Sequence, residues 1–121
     1  MEYVITIIKI VIAASILNVW LFRFNQSTMW RGASAGNMKE EFKAYGLPEW
    51  MMYVIGVLKV TLSIALLASI YYTQIEEIAA FGLVILMLGA IGMHMKIGDP
   101  IKKSLPAIIF LILSLIVALV P

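Results

Sequence analysis

Four stretches of ~20 apolar residues take up most of this chain, each long enough to cross a ~30 Å hydrocarbon core as a helix. They run over residues 3–22, 50–72, 75–95 and 105–121. Of the 121 residues, 63% are hydrophobic and 13% charged, which is more apolar surface than a soluble domain of this size can hide. The bilayer is therefore the solvent for most of the chain. The first stretch has no basic start, carries only Glu2 as an early charge and is longer than the apolar region of a signal peptide, so a retained span is expected. Pro106 falls in the first turn of the fourth span, where its missing N–H costs nothing.

Charge in the connections sets an expected orientation. Arg23, Arg31, Lys39, Lys43, Lys96, Lys102 and Lys103 lie between spans one and two or between spans three and four. The N-terminus, the turn "YTQIEE" and the C-terminus hold no Lys or Arg. Cytoplasmic loops are the ones enriched in these residues, so both termini are expected outside and the two long connections inside. The basic residues thus follow topology and form no patch for nucleic acid. The absence of cysteine excludes disulfides, iron–sulfur ligation and thiol nucleophiles, and a single histidine excludes a bis-histidine haem within one chain. No metal site is expected, because "MHMK" offers one strong ligand and two thioethers.

The first connection, "RFNQSTMWRGASAGNMKEEFKAYGLPE", is long for a link between adjacent helices. "GASAG" reads as flexible and "YGLP" as a helix stop. Between them the pattern predicts a short interfacial helix over about 37–45. Asn37 is its cap, Glu40 its capping-box partner, and Met38, Phe42 and Tyr45 form one apolar face. Such a piece lies at the membrane surface or folds under the bundle, as an anchor or as a lid over a pocket.

Three segments in order, "RGASAGNMKEEFKAYGLP", "GVLK" at Gly56 to Lys59, and "LMLGAIGMHMKIGDPIKKSLPA", give the chain a resemblance to the DoxX-like family of small four-span membrane proteins. The resemblance implies a four-helix membrane bundle. It also implies links to quinone-coupled sulfur oxidation, terminal oxidase assemblies and membrane redox complexes, and a location in a prokaryotic inner membrane. Many relatives have a glutamate where this chain has Lys59, so carboxylate-based proton chemistry does not carry over to that position.

Lys59 is the costliest residue of the spans. It lies ten residues beyond Glu49, or ~15 Å along the helix, near the middle of the hydrocarbon layer. A charge there costs ~2.5–3.5 kcal/mol on insertion scales and turns toward the bundle interior. Gly56 and Ser63, one turn to either side, make that face small and polar, and Ala14, Ser15 and Asn18 form a similar face on the first span. Three readings follow: a polar cluster of Lys59 with Asn18 and Ser63 that fixes helix register, a contact to a bound carbonyl or anionic headgroup, or a part in proton movement. Lys9 faces away from Asn18 and is expected to snorkel outward or pair with Glu76 or Glu77. His94, at the inner boundary, reads either as an interfacial histidine bonded to a neighbouring backbone or carboxylate group or as a proton relay or quinone partner.

The expected fold is therefore all-α: one antiparallel bundle of four transmembrane helices with a short interfacial helix after the first. The leading functional expectation is an accessory or co-catalytic subunit of a membrane redox system, more a partner of an oxidoreductase than a self-sufficient enzyme. It would hold no intrinsic cofactor but take a quinone or lipid in an apolar pocket. Lys59, Asn18, Ser63 and His94 would supply its polar groups, with Arg31 and Glu41 at the entrance. Rival readings are a homo-oligomeric transporter or channel for a small solute, against which stands the lack of similarity between the two halves, and a structural or assembly factor without a ligand.

Overall fold

The computed structural model describes residues 2–120. Among them, four helices are long and apolar enough to cross a membrane: Glu2–Phe22, Glu49–Ala68, Thr73–Lys96 and Ile101–Leu119, each of 19 to 24 residues. At 1.5 Å of rise per residue, ~20 residues reach ~30 Å, so every span matches the hydrocarbon core.

In chain order, α1 (Glu2–Leu17) runs into a wider π turn at Asn18–Phe22. After the long connection come α2 (Met38–Ala44) and α3 (Glu49–Ala68). A 3-10 turn at Thr73–Ile75 leads into α4 (Glu76–Lys96), and another at Ile101–Ser104 into α5 (Leu105–Leu119). The second span stops at Ala68, short of the expected Tyr72. Ser69 ends it by donating its N–H to the Ala65 carbonyl at 2.9 Å and its hydroxyl to the Leu66 carbonyl at 2.5 Å.

α1 packs on α3 and α5, and α4 packs on the same two helices, so the four long helices enclose one core. Each contributes a wholly buried residue: Ile12, Leu66, Leu83 and Val117. Ala79, Ala80, Ala107 and Ala118 are buried beside them, small side chains of the kind that let membrane helices approach closely.

The two ends of the core are closed differently. At one end, the Lys9 ammonium sits 2.6 Å from the Glu76 carboxylate and 3.3 Å from the Ser69 carbonyl, tying α1 to the end of α3 and the start of α4. Of the two acids available there, Glu76 takes the cation. At the other end, α2 folds under the bundle, and its Met38 and Phe42 join Trp20, Met52 and Met87 in the core.

Candidate functional site

Two matching helix ends build the site at the α2 end of the bundle. "KAYGLP" ends α2 and "MKIGDP" ends α4. In each, a glycine takes the left-handed backbone conformation (φ +77° at Gly46, +74° at Gly98), which a side chain would strain. Gly46 N–H donates to the Lys43 carbonyl and Leu47 N–H to the Phe42 carbonyl. Gly98 and Asp99 repeat the pattern on Met95 and His94. This Schellman closure folds the residue after the glycine back over the last turn, where an apolar contact is usual. Leu47 and Phe42 supply that contact on α2. On α4 the same fold-back brings the Asp99 carboxylate to 2.7 Å from His94 Nδ1.

From His94 the polar chain continues into α2. His94 Nε2 is 3.4 Å from the Tyr45 hydroxyl, which donates to Glu41 Oε2 at 2.9 Å. Tyr45 follows Glu41 by four residues, so one helical turn sets that bond. Glu41 Oε2 also accepts the Gly32 N–H at 2.7 Å, and Asp99 Oδ1 accepts the Ala33 N–H at 3.0 Å. The contacts close into a ring that holds the Arg31–Gly36 segment against α2 and the end of α4. Ala33 is left-handed (φ +50°) without being a glycine, a strained conformation held by Asp99 on its N–H and Lys103 on its carbonyl.

Arg31 is buried at the centre of this arrangement. It donates to the carbonyls of Arg23 (2.6 Å), Gln26 (2.8 Å) and Phe24 (3.4 Å), and pairs with Glu41 Oε1 at 3.1 Å. Lys103 also donates to the Arg31 carbonyl at 2.7 Å, and Lys96 to the Tyr45 carbonyl at 3.1 Å. α2 is capped by the Asn37 side chain, which accepts from Glu40 N–H at 2.8 Å. The Glu40 carboxylate reaches Gly36 N–H, one residue beyond the capping-box position.

The electrostatics keep the ends of the chain distinct. Burial, together with the charge and hydrogen bond of Glu41, raises the Tyr45 phenol well above its ordinary range, so it stays a protonated donor. Burial pushes the Asp99 carboxyl up, but hydrogen bonds from His94 and Ala33 N–H and the charge of Lys103 outweigh it and hold the group below the usual carboxylate range. A folded value below the unfolded one means that the unfolded chain binds more protons in that window. Asp99 thus contributes stability that is fully present above the ordinary carboxylate value and is lost as pH falls through the lowered one. Asp99→Asn is therefore expected to flatten the acid limb of a thermal-stability profile in detergent. An acid limb of unchanged slope would contradict this.

A second feature lies beside the network. A groove of about 340 Å³ runs between the π turn and α3, lined among others by Trp20, Phe24, Met52, Tyr53, Gly56 and Val57. Gly56 lets Trp20 close one wall of it: a Cβ there would lie 2.7 Å from the indole, too close for the ring to keep its place against α3. Trp20 meets Phe42 edge-on at 6.0 Å, Phe42 meets Tyr45 at 5.8 Å, and Tyr45 meets His94 at 5.7 Å. A series of edge contacts thus joins groove to network.

Of the six site residues named from sequence, Arg31, Glu41 and His94 come together, while Lys59, Asn18 and Ser63 do not form the expected cluster. The Lys59 ammonium lies over the Trp20 ring, 5.4 Å from its centroid. Such a contact is worth ~0.5–2 kcal/mol, depending on desolvation. Ser63 is fully buried, and its hydroxyl lacks a partner among the described residues. Asn18 departs from the expectation: it is exposed, as is Ala14, and the buried residues of α1 are Ile5, Lys9, Ile12, Ala13 and Ile16, with Trp20 following in the π turn. In a bilayer an isoleucine face is as good an interior as a small polar one, so composition misidentified the inward side. Tyr45 and Asp99 were missed as site residues. Their signals were present: a tyrosine one turn after Glu41, and an aspartate directly after the glycine that ends the His94 helix.

A model of the DoxX-like family matches residues 14–117, a stretch that contains every residue of the network and the groove. No curated protein and no solved structure matches the chain.

Proposed function

The chain belongs to the DoxX-like family of membrane proteins, and from that premise we propose that it is an accessory subunit of a membrane redox system that holds a quinone or lipid-like molecule in the groove beside Trp20. The observation that carries this reading is the groove itself, apolar and open between the π turn and α3, with aromatic contacts running from it to a buried polar network. Flat aromatic and aliphatic walls suit a ring with an isoprenoid tail, and polar groups nearby suit its oxygens. The excess of Lys and Arg in the two connections at this end supports a cytoplasmic position for the network. The oxidoreductase served would then dock at that face.

The test is recovery of the ligand. In protein extracted with its surrounding lipid into nanodiscs, mass spectrometry is expected to find quinone enriched over its ratio in the bulk membrane. Val57 stands at the exposed lip of the groove, so Val57→Trp fills it without disturbing the core. That variant is expected to lower recovery at least about tenfold, equivalent to ~1.4 kcal/mol of affinity. Quinone at the bulk ratio in both proteins would overturn the reading.

A further inference from the structure

A neutral imidazole cannot fill both hydrogen-bond positions at His94 while Tyr45 donates its proton to Glu41. Asp99 is a carboxylate, so the 2.7 Å contact requires the proton on Nδ1. Tyr45 donates its single proton to Glu41, so its oxygen faces Nε2 as an acceptor, and that contact needs a second proton on the ring. All contacts are therefore satisfied together by the imidazolium. When the ring is neutral, they are satisfied another way: the Tyr45 hydroxyl turns from Glu41 to Nε2, while Glu41 keeps Arg31 and the Gly32 N–H. The two arrangements differ by one proton and one hydroxyl rotation.

We infer that His94, Tyr45 and Glu41 form a proton relay, with Asp99 as the positioning residue that holds the imidazole in register, and that one proton passes along it. In the outward step, the Nε2 proton moves to the Tyr45 oxygen as the tyrosine's own proton moves to Glu41. Glu41 then releases a proton to water, leaving a carboxylate, a neutral imidazole protonated on Nδ1, and a phenol that donates to Nε2. Charge and protons balance, because one H⁺ leaves and the imidazolium becomes neutral. Tyr45 ends as it began, a phenol, and its raised pKa is consistent with concerted transfer rather than a free phenolate. Glu41 is the exit because it lies at the end of the chain away from His94 and Asp99.

The charged groups around the relay come from every neighbouring element. Arg31 pairs with Glu41, Lys103 holds the Ala33 carbonyl, Lys96 holds the Tyr45 carbonyl, and from α3 Lys59 lies over the Trp20 ring. These cations outnumber the two carboxylates, so this end of the bundle carries a net positive charge. The relay stands whatever the groove holds, and its test needs no ligand.

His94 is the sole histidine of the sequence, so ¹⁵N-histidine labelling reads one ring. In nanodiscs, both nitrogens are expected to be protonated at acid pH, and Nε2 alone is expected to lose its proton as pH rises. The surviving Nδ1–H form is the opposite of that favoured by free histidine. Exchange of the Nε2 proton in H₂O/D₂O mixtures should show a bowed dependence on deuterium fraction, the sign of more than one proton in flight. Tyr45→Phe and Glu41→Gln should each slow that exchange roughly 10²-fold, the low end of what a positioned proton-transfer group contributes. A neutral ring protonated on Nε2, or a linear isotope dependence in the wild type, overturns the inference even if neither variant assembles. Unchanged exchange in a folded Tyr45→Phe protein overturns it as well.

Discussion

Arg31→Met is expected to open the α2 end of the bundle at a cost of about 3–5 kcal/mol, the range for removing one partner of a buried ion pair. The variant leaves the Glu41 carboxylate buried without its cation. It also removes the guanidinium donor from the Gln26 carbonyl and from the Arg23 and Phe24 carbonyls, which keep the backbone N–H groups of Gln26 and Met38. Denaturation of detergent-solubilised protein by a stronger detergent measures the loss. Arg31→Lys should recover little of it, because an ammonium cannot reproduce a planar fork that meets three carbonyls and a carboxylate at once. A loss below about 1 kcal/mol would class Arg31 with surface ion pairs and contradict its central place.

At the opposite end, Glu76→Leu is expected to cost a similar ~3–5 kcal/mol, because it leaves the Lys9 ammonium buried with only the Ser69 carbonyl nearby. Lys9→Met should cost less. The Glu76 side chain is 21% exposed and can still be solvated, whereas that of Lys9 is 4% exposed. The double variant Lys9→Met, Glu76→Leu should return to near wild-type stability, since an apolar pair of similar volume replaces a buried ion pair without leaving a charge behind. Unfolding measurements on all four proteins complete the cycle. Additive single losses would mean that the pair is not coupled.

Much of this arrangement is legible in the amino-acid sequence. Four apolar stretches allow one class of solution, because a polar backbone in hydrocarbon has to satisfy itself within each helix. The α2 helix, its Asn37 cap and its glycine stop were also local matters, set by hydrogen bonds within a few residues. Even the Lys9–Glu76 pair could be anticipated, since both groups lie at the same depth and a membrane offers a cation few other partners.

The inward faces were another matter. Hydrophobic periodicity marks the buried side of a helix only when the other side meets water, and here both sides are apolar. Asn18 therefore looked like an interior residue and is exposed, while the isoleucine stripe of α1 is interior. Lys59 has an indole as its neighbour rather than Asn18 or Ser63, and that ring approaches α3 only because Gly56 leaves room there. Asp99 reaches His94 through the local end of α4, but Tyr45 comes to it from the distant end of α2, so only the tertiary structure could show that the three share one polar chain.

The linear order of residues settled the solvent, the number of spans and the local helix ends, because these depend on length, apolarity and nearby hydrogen bonds. Tertiary packing alone decided which side of each helix is interior and which polar groups meet, because lipid and protein interior attract an apolar side chain almost equally.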